Sequence, residues 1–172
     1  MDEQLIRRFK AAELPQTEWN HRAHLIVALH YLTEYPPQEA LERLRTDIQN
    51  LNLFHGVYTT PQRGYHETRT RVWLAVLLNE LKEGGDPGEV VDKYARHDVV
   101  RDYYSAERLE SLEARLDWLP PDNGILPLDP GGWCQARGAR SPLAPTEPRL
   151  GTTGTTLTLE RLRLANGDRR GH

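Results

Sequence analysis

The chain has 172 residues, of which 38% are hydrophobic and 27% charged, and its formal net charge is -3. That length fits one domain, and the absence of a basic excess argues against nucleic acid as the main partner. Its single cysteine, Cys134, permits neither an internal disulfide nor a cysteine-built zinc site.

Leu5, Ile6, Phe9 and Ala12 recur at helical spacing within residues 4–12 and predict a short amphipathic helix. Leu14-Pro15 ends it, because proline disfavours the helical conformation in the residue before it. No basic stretch followed by an apolar one opens the chain, so no signal peptide is expected. The next helix should start near Asn20, with Asn20 or Thr17 as N-cap. Its apolar run, Leu25 to Leu32, covers nearly every side, which predicts a central, buried helix. A strand over Leu25 to Leu29 is the competing reading; length and alanine content favour helix, and Pro36-Pro37 ends it. The run is interrupted by His30 and is far too short to span a bilayer. These features together predict a cytoplasmic protein with no membrane partner.

Residues 37 to 51 repeat Ala40, Leu41, Leu44, Ile48 and Leu51 behind Pro37, which suits a first helical position. Glu39, Glu42, Arg43 and Arg45 lie between the apolar positions and predict one wet face. Asn50-Leu51-Asn52 should fray this helix into a loop over 52–63. The second strongly apolar helix is expected from about Pro61 or Gly64 to Lys82, stopped by Glu83-Gly84-Gly85-Asp86-Pro87. A further helix follows from about Pro87 to His97. Val99 to Tyr104 is ambiguous, and Ser105 should cap a last helix carrying Leu109, Leu112, Leu116 and Leu119. Pro120-Pro121-Asp122 closes the domain. Residues 123–172 are rich in Gly, Pro, Arg and Thr and poor in large apolar side chains, a composition that cannot offset its ordering entropy. They are expected to form a largely disordered, low-complexity tail, with a strand or short helix possible over Thr155 to Leu164. The predicted fold is all-α: a compact bundle of five or six helices over residues 1–122.

Two histidine motifs stand at the starts of the two most apolar helices. His21 and His24 lie three apart, which on a helix puts their Cβ atoms roughly 5–6 Å apart on one face. In the first helical turn the dipole favours neutral imidazole, the form that ligates metal. The bland reading makes His21 an exposed first-turn residue and His24 a hydrogen-bonded core residue. His66 shares an inward stripe with Thr70, Trp73, Leu77 and Leu81. Glu67 points about 100° away from it, placed to act as ligand, orienter or general base, or to pair with Arg71 on the surface. There is no HExxH, so this is not a zincin helix. His55 offers a fourth ligand, although a solvent-facing loop position suits it better. His30 reads as a packed core histidine, and His97 and His172 lack supporting context. Trp19 and Tyr65 flank the motifs and, with Asn20, are the substrate-binding candidates. Trp73 reads as core, while Tyr103 and Tyr104 are further aromatics available to a pocket. No phosphate loop, GxSxG or CxxC occurs.

Leu14-Pro15, Trp19-Asn20-His21-Arg22-Ala23-His24-Leu25, Gly64-Tyr65-His66-Glu67-Thr68, and Tyr103-Tyr104-Ser105 through Ala114-Arg115 to Trp118 occur in that order. Together they resemble a family of small uncharacterised bacterial proteins that pairs W-(N/T)-H-x-x-H-L with G-Y-H-E-T. The resemblance covers roughly residues 9 to 122. It implies a shared folding unit and site but no reaction, and the tail lies beyond it.

Three function classes stay open. One is a metal-dependent enzyme acting on a small organic substrate, with His21, His24 and His66 holding a divalent ion (Zn or Fe) and Glu67 as acid/base or fourth ligand. Another is a metal-free small-molecule binder or acid–base enzyme that uses the same histidines. The last is a helical interaction protein with structural histidines. Oligomeric state is not legible.

Overall fold

The computed structural model describes residues 2–126 and residue 132. These residues form an all-helical fold with no strand among them. Its elements are α1 (Glu3–Lys10), α2 (His21–Glu34), α3 (Pro37–Phe54), α4 (Glu67–Lys82), α5 (Pro87–Tyr94), α6 (Val100–Tyr103), α7 (Ala106–Leu109) and α8 (Leu112–Leu116). The expected tail lies outside the described residues except at 123–126 and 132, as does the element considered over Thr155 to Leu164. Among the described residues no helix is long and apolar enough to cross a membrane.

The nearly all-round apolar surface of α2 has its predicted consequence. Ala23, Leu25, Val27, Ala28, Leu29, Tyr31 and Leu32 are all buried, and α2 packs against α1, α3, α4 and α5. The strand alternative for Leu25 to Leu29 is thereby overturned. The second apolar helix, α4, is shared by two cores. Leu74, Ala75, Leu77 and Leu78 enter the main one with α1, α2, α3 and α5. Val72 joins a smaller one with Val100, Tyr104, Leu109 and Trp118. One helix thus fixes the C-terminal segments against the bundle.

The boundaries moved where side chains competed for backbone groups. Helix α3 continues past the expected fraying point to Phe54, because Leu51 is fully buried and anchors its last turn. Helix α4 starts at Glu67 rather than near Pro61 or Gly64. His66 has extended backbone there, and its Nδ1 accepts the Arg69 N–H at 3.3 Å as an N-cap. Before it, Gly64 sits at φ +95°, which no helix contains. The single last helix predicted after Ser105 is two short ones. Ser105 caps α7 as expected, but Ser111 accepts from Ala114 N at 3.1 Å and starts α8. The Leu109 carbonyl accepts from His66 Nε2 at 2.8 Å. Six expected helices became eight by this break and by the short α6 in the ambiguous stretch.

Candidate functional site

The starts of α2 and α4 open onto one cavity of about 350 Å³, at the small end of ligand-pocket volumes. Leu25 and Ala28 from α2 and Leu44 and Ile48 from α3 supply apolar lining. Trp19, His21 and His24 contribute from one motif, Gly64, Tyr65 and His66 from the other. Asn52, Arg69, Thr70, Trp73 and Arg115 complete the wall. Of the sequence-predicted site residues, His21, His24, His66, Trp19 and Tyr65 therefore line one space. Glu67 and Asn20 do not.

Two aromatic columns carry the first pair of histidines. Phe9 stacks on Trp19 with ring centroids 4.9 Å apart, and Trp19 stacks on His24 at 3.7 Å. Tyr94 meets Trp73 edge-on at 5.7 Å, and Trp73 meets His21 at 5.1 Å. Each column runs from packed side chains to a histidine at the cavity. Backbone carbonyls then fix the tautomers, since a carbonyl only accepts. His24 Nδ1 lies 2.7 Å from Asn20 O and carries the proton, which leaves Nε2 with a lone pair. His21 Nε2 lies 3.1 Å from Tyr94 O, which leaves Nδ1 as the acceptor. Crowding by protein atoms lowers the His24 pKa, the Asn20 carbonyl opposes that, and His21 adds to it. His24 is nonetheless exposed to solvent, so water offsets part of the fall.

His66 is held differently. Its Nε2 donates to Leu109 O and its Nδ1 accepts from Arg69 N, so both ring nitrogens are used. Burial pushes its pKa down to about 4, against the Leu109 hydrogen bond and with the help of the Arg115 and Arg69 charges. A neutral ring with both nitrogens committed has no lone pair for a metal. As placed, His66 offers no free ring nitrogen to join His21 and His24 as a third ligand. Among the described residues no three His, Cys, Asp or Glu side chains are placed to hold an ion.

Glu67 departs furthest from its expected place. It is fully buried and carries no cavity wall. Its Oε1 accepts from Arg45 Nη2 and from Arg71 Nε, each at 2.6 Å, and its Oε2 from Arg45 Nε at 3.0 Å and the Tyr65 hydroxyl at 2.8 Å. The i+4 pair with Arg71 exists, but in the interior rather than on the surface. Arg45, expected on the wet face of α3, is 9% exposed. With all its acceptor capacity spent on these donors, Glu67 has none to offer as a general base. It positions Tyr65 at the cavity.

Asn20 is the N-cap of α2, its Oδ1 accepting from Ala23 N at 3.1 Å. His55 is half-buried and bonds Leu14 O at 2.8 Å, tying the end of α3 to the segment after α1. His30 is only partly buried, beside Lys10 Nζ at 2.9 Å, and His97 pairs with Asp102 on the surface. Tyr104 belongs to the smaller core, its hydroxyl donating to Leu119 O at 2.8 Å, with Tyr103 packed beside it.

Sequence reading missed Arg69 and Arg115 at the cavity. Arg69 follows His66 by three positions, a signal that was available. Arg115 comes from α8 and gave no local sign. Arg45 was legible: it lies four after Leu41 and three before Ile48, on the stripe that α3 buries. No family model, curated protein or solved structure matches the chain, so the reading of the site rests on its own geometry.

Proposed function

We propose that the protein binds a small organic molecule in the cavity between the starts of α2 and α4, without a metal ion. The observation that carries this reading is the cavity's make-up: an apolar wall of Leu25, Ala28, Leu44 and Ile48 beside two histidines with defined acceptor nitrogens. Such a mixture of apolar surface and a few oriented polar groups is what ligand pockets share. A donor on the ligand would meet His24 Nε2. Acid–base chemistry at the same nitrogen is the second reading, favoured by one observation: the Asn20 carbonyl fixes the tautomer and leaves that nitrogen unprotonated.

The experiment is ligand-observed NMR with a panel of small aromatic and aliphatic compounds, run with and without a chelator. Binding should survive the chelator and disappear in Ala28→Phe, which fills the cavity, provided that variant still melts cooperatively. Binding abolished by the chelator and restored by zinc would return the weight to a metal-dependent site.

A further inference from the structure

The cavity's charge is one-sided. Its lining includes two guanidinium groups, Arg69 and Arg115, and no carboxylate. Arg69 has a carboxylate partner, its Nη1 donating to Asp98 Oδ2 at 2.7 Å, an oxygen that also accepts from Arg101 Nε at 3.3 Å. Arg115 differs. Its Nε donates to Pro61 O at 2.8 Å and its Nη1 to Gly64 O at 3.4 Å. It forms no salt bridge with any described residue. Two backbone carbonyls therefore fix the plane of the guanidinium, and about three of its five N–H donors remain for another partner.

A half-buried charge without a counter-ion is costly unless something pairs with it. Burial and the Arg69 charge both disfavour the positive form of Arg115, and only Glu110 opposes them. A second cavity of about 400 Å³ shares His66, Arg69 and Arg115 with the first and adds Arg101 and Glu110. The guanidinium thus stands where the apolar cavity meets a polar one. Resting on the small-molecule reading above, we infer that the ligand is an organic monocarboxylate, its apolar body among Leu25, Ala28 and Ile48 and its carboxylate on Arg115. A planar fork with free parallel donors matches a carboxylate. Around the two cavities, among the described residues, Arg69, Arg101 and Arg115 face only Asp98 and Glu110, and an excess of one positive charge suits one negative charge better than two.

Phenylacetate, its neutral isostere phenylacetamide and phenylphosphonate, titrated by calorimetry, test this. Phenylacetate should bind at least about tenfold more tightly than phenylacetamide, the scale of a charge-assisted hydrogen bond. In Arg115→Gln that preference should collapse to within about twofold, with phenylacetamide little changed. Equal binding of phenylacetate and phenylacetamide to the native protein would overturn the anion inference and leave the pocket reading standing. Tighter binding of phenylphosphonate would overturn the choice of a monocarboxylate. Binding of none of the three would remove the pocket reading and the inference with it. Equal weakening of both neutral and charged probes by Arg115→Gln would make Arg115 a structural residue. If that variant does not fold, the native comparison decides alone.

Discussion

Arg45 and Glu67 form a buried two-pronged ion pair, Nε to Oε2 at 3.0 Å and Nη2 to Oε1 at 2.6 Å. The pair joins the middle of α3 to the first turn of α4. Arg71, one turn further along α4, adds a third N–H, and Tyr65 adds its hydroxyl. Burial by itself would raise the Glu67 carboxyl. The Arg45 hydrogen bonds and charge, the Arg71 charge and the Tyr65 hydroxyl outweigh it and hold the pKa below the ordinary carboxylate value. Tyr65 faces the cavity and Glu67 does not, so this network fixes the cavity wall from behind.

Removing the carboxylate charge leaves two buried guanidinium groups facing each other. Glu67→Gln should therefore destabilise the fold by about 3–5 kcal/mol, the range for breaking one side of a buried ion pair. Urea unfolding measures it. A loss below about 1 kcal/mol would mean the arginines find water or other acceptors.

Acid should act through His66. Its folded pKa of about 4 lies below the ordinary 6.5, so the unfolded chain takes up a proton first. The stability it contributes is present above pH 6.5 and is lost as the pH falls towards 4, a drop on the order of 2–3 kcal/mol. Glu67 acts lower: its contribution is present above its unfolded value of 4.5 and is lost only as the pH falls through its depressed folded value. His66→Asn keeps an N-cap side chain and removes the imidazole. Unfolding free energies at pH 7, 6, 5 and 4 should fall less steeply in this variant. Parallel curves for the two proteins would assign the acid sensitivity elsewhere.

Gly64 is required by its backbone and by its neighbours. At φ +95° a side chain is strained, and a Cβ there would lie 2.7 Å from Thr59 Cα and 2.9 Å from Tyr58 O. The carbonyl of the same residue accepts from Arg115. Gly64→Ala should cost at least about 1 kcal/mol and weaken phenylacetate binding, because the 58–64 loop must shift. An unchanged melting temperature together with unchanged affinity would show that the loop absorbs the methyl group freely.

Local patterns carried the helices. The all-round apolar run in α2, the caps Asn20 and Ser105, and Pro37 at a helix start are decided by neighbours within four residues, and each is found as read. The nearness of the two histidine motifs was also legible, because the two most apolar helices have to pack together and α3 returns the chain between their starts.

What those histidines do was decided only by tertiary contacts. His66 donates its Nε2 to a carbonyl 43 residues away while its Nδ1 accepts from Arg69 N, so neither ring nitrogen is left free. Glu67 lost its freedom to Arg45, 22 residues earlier. Arg115 reached the cavity from 51 residues beyond Gly64. Periodicity reports which face of a helix is apolar. It does not report which polar group on another element will satisfy a buried donor or charge, and in this protein those long-range pairings set the chemistry of the site.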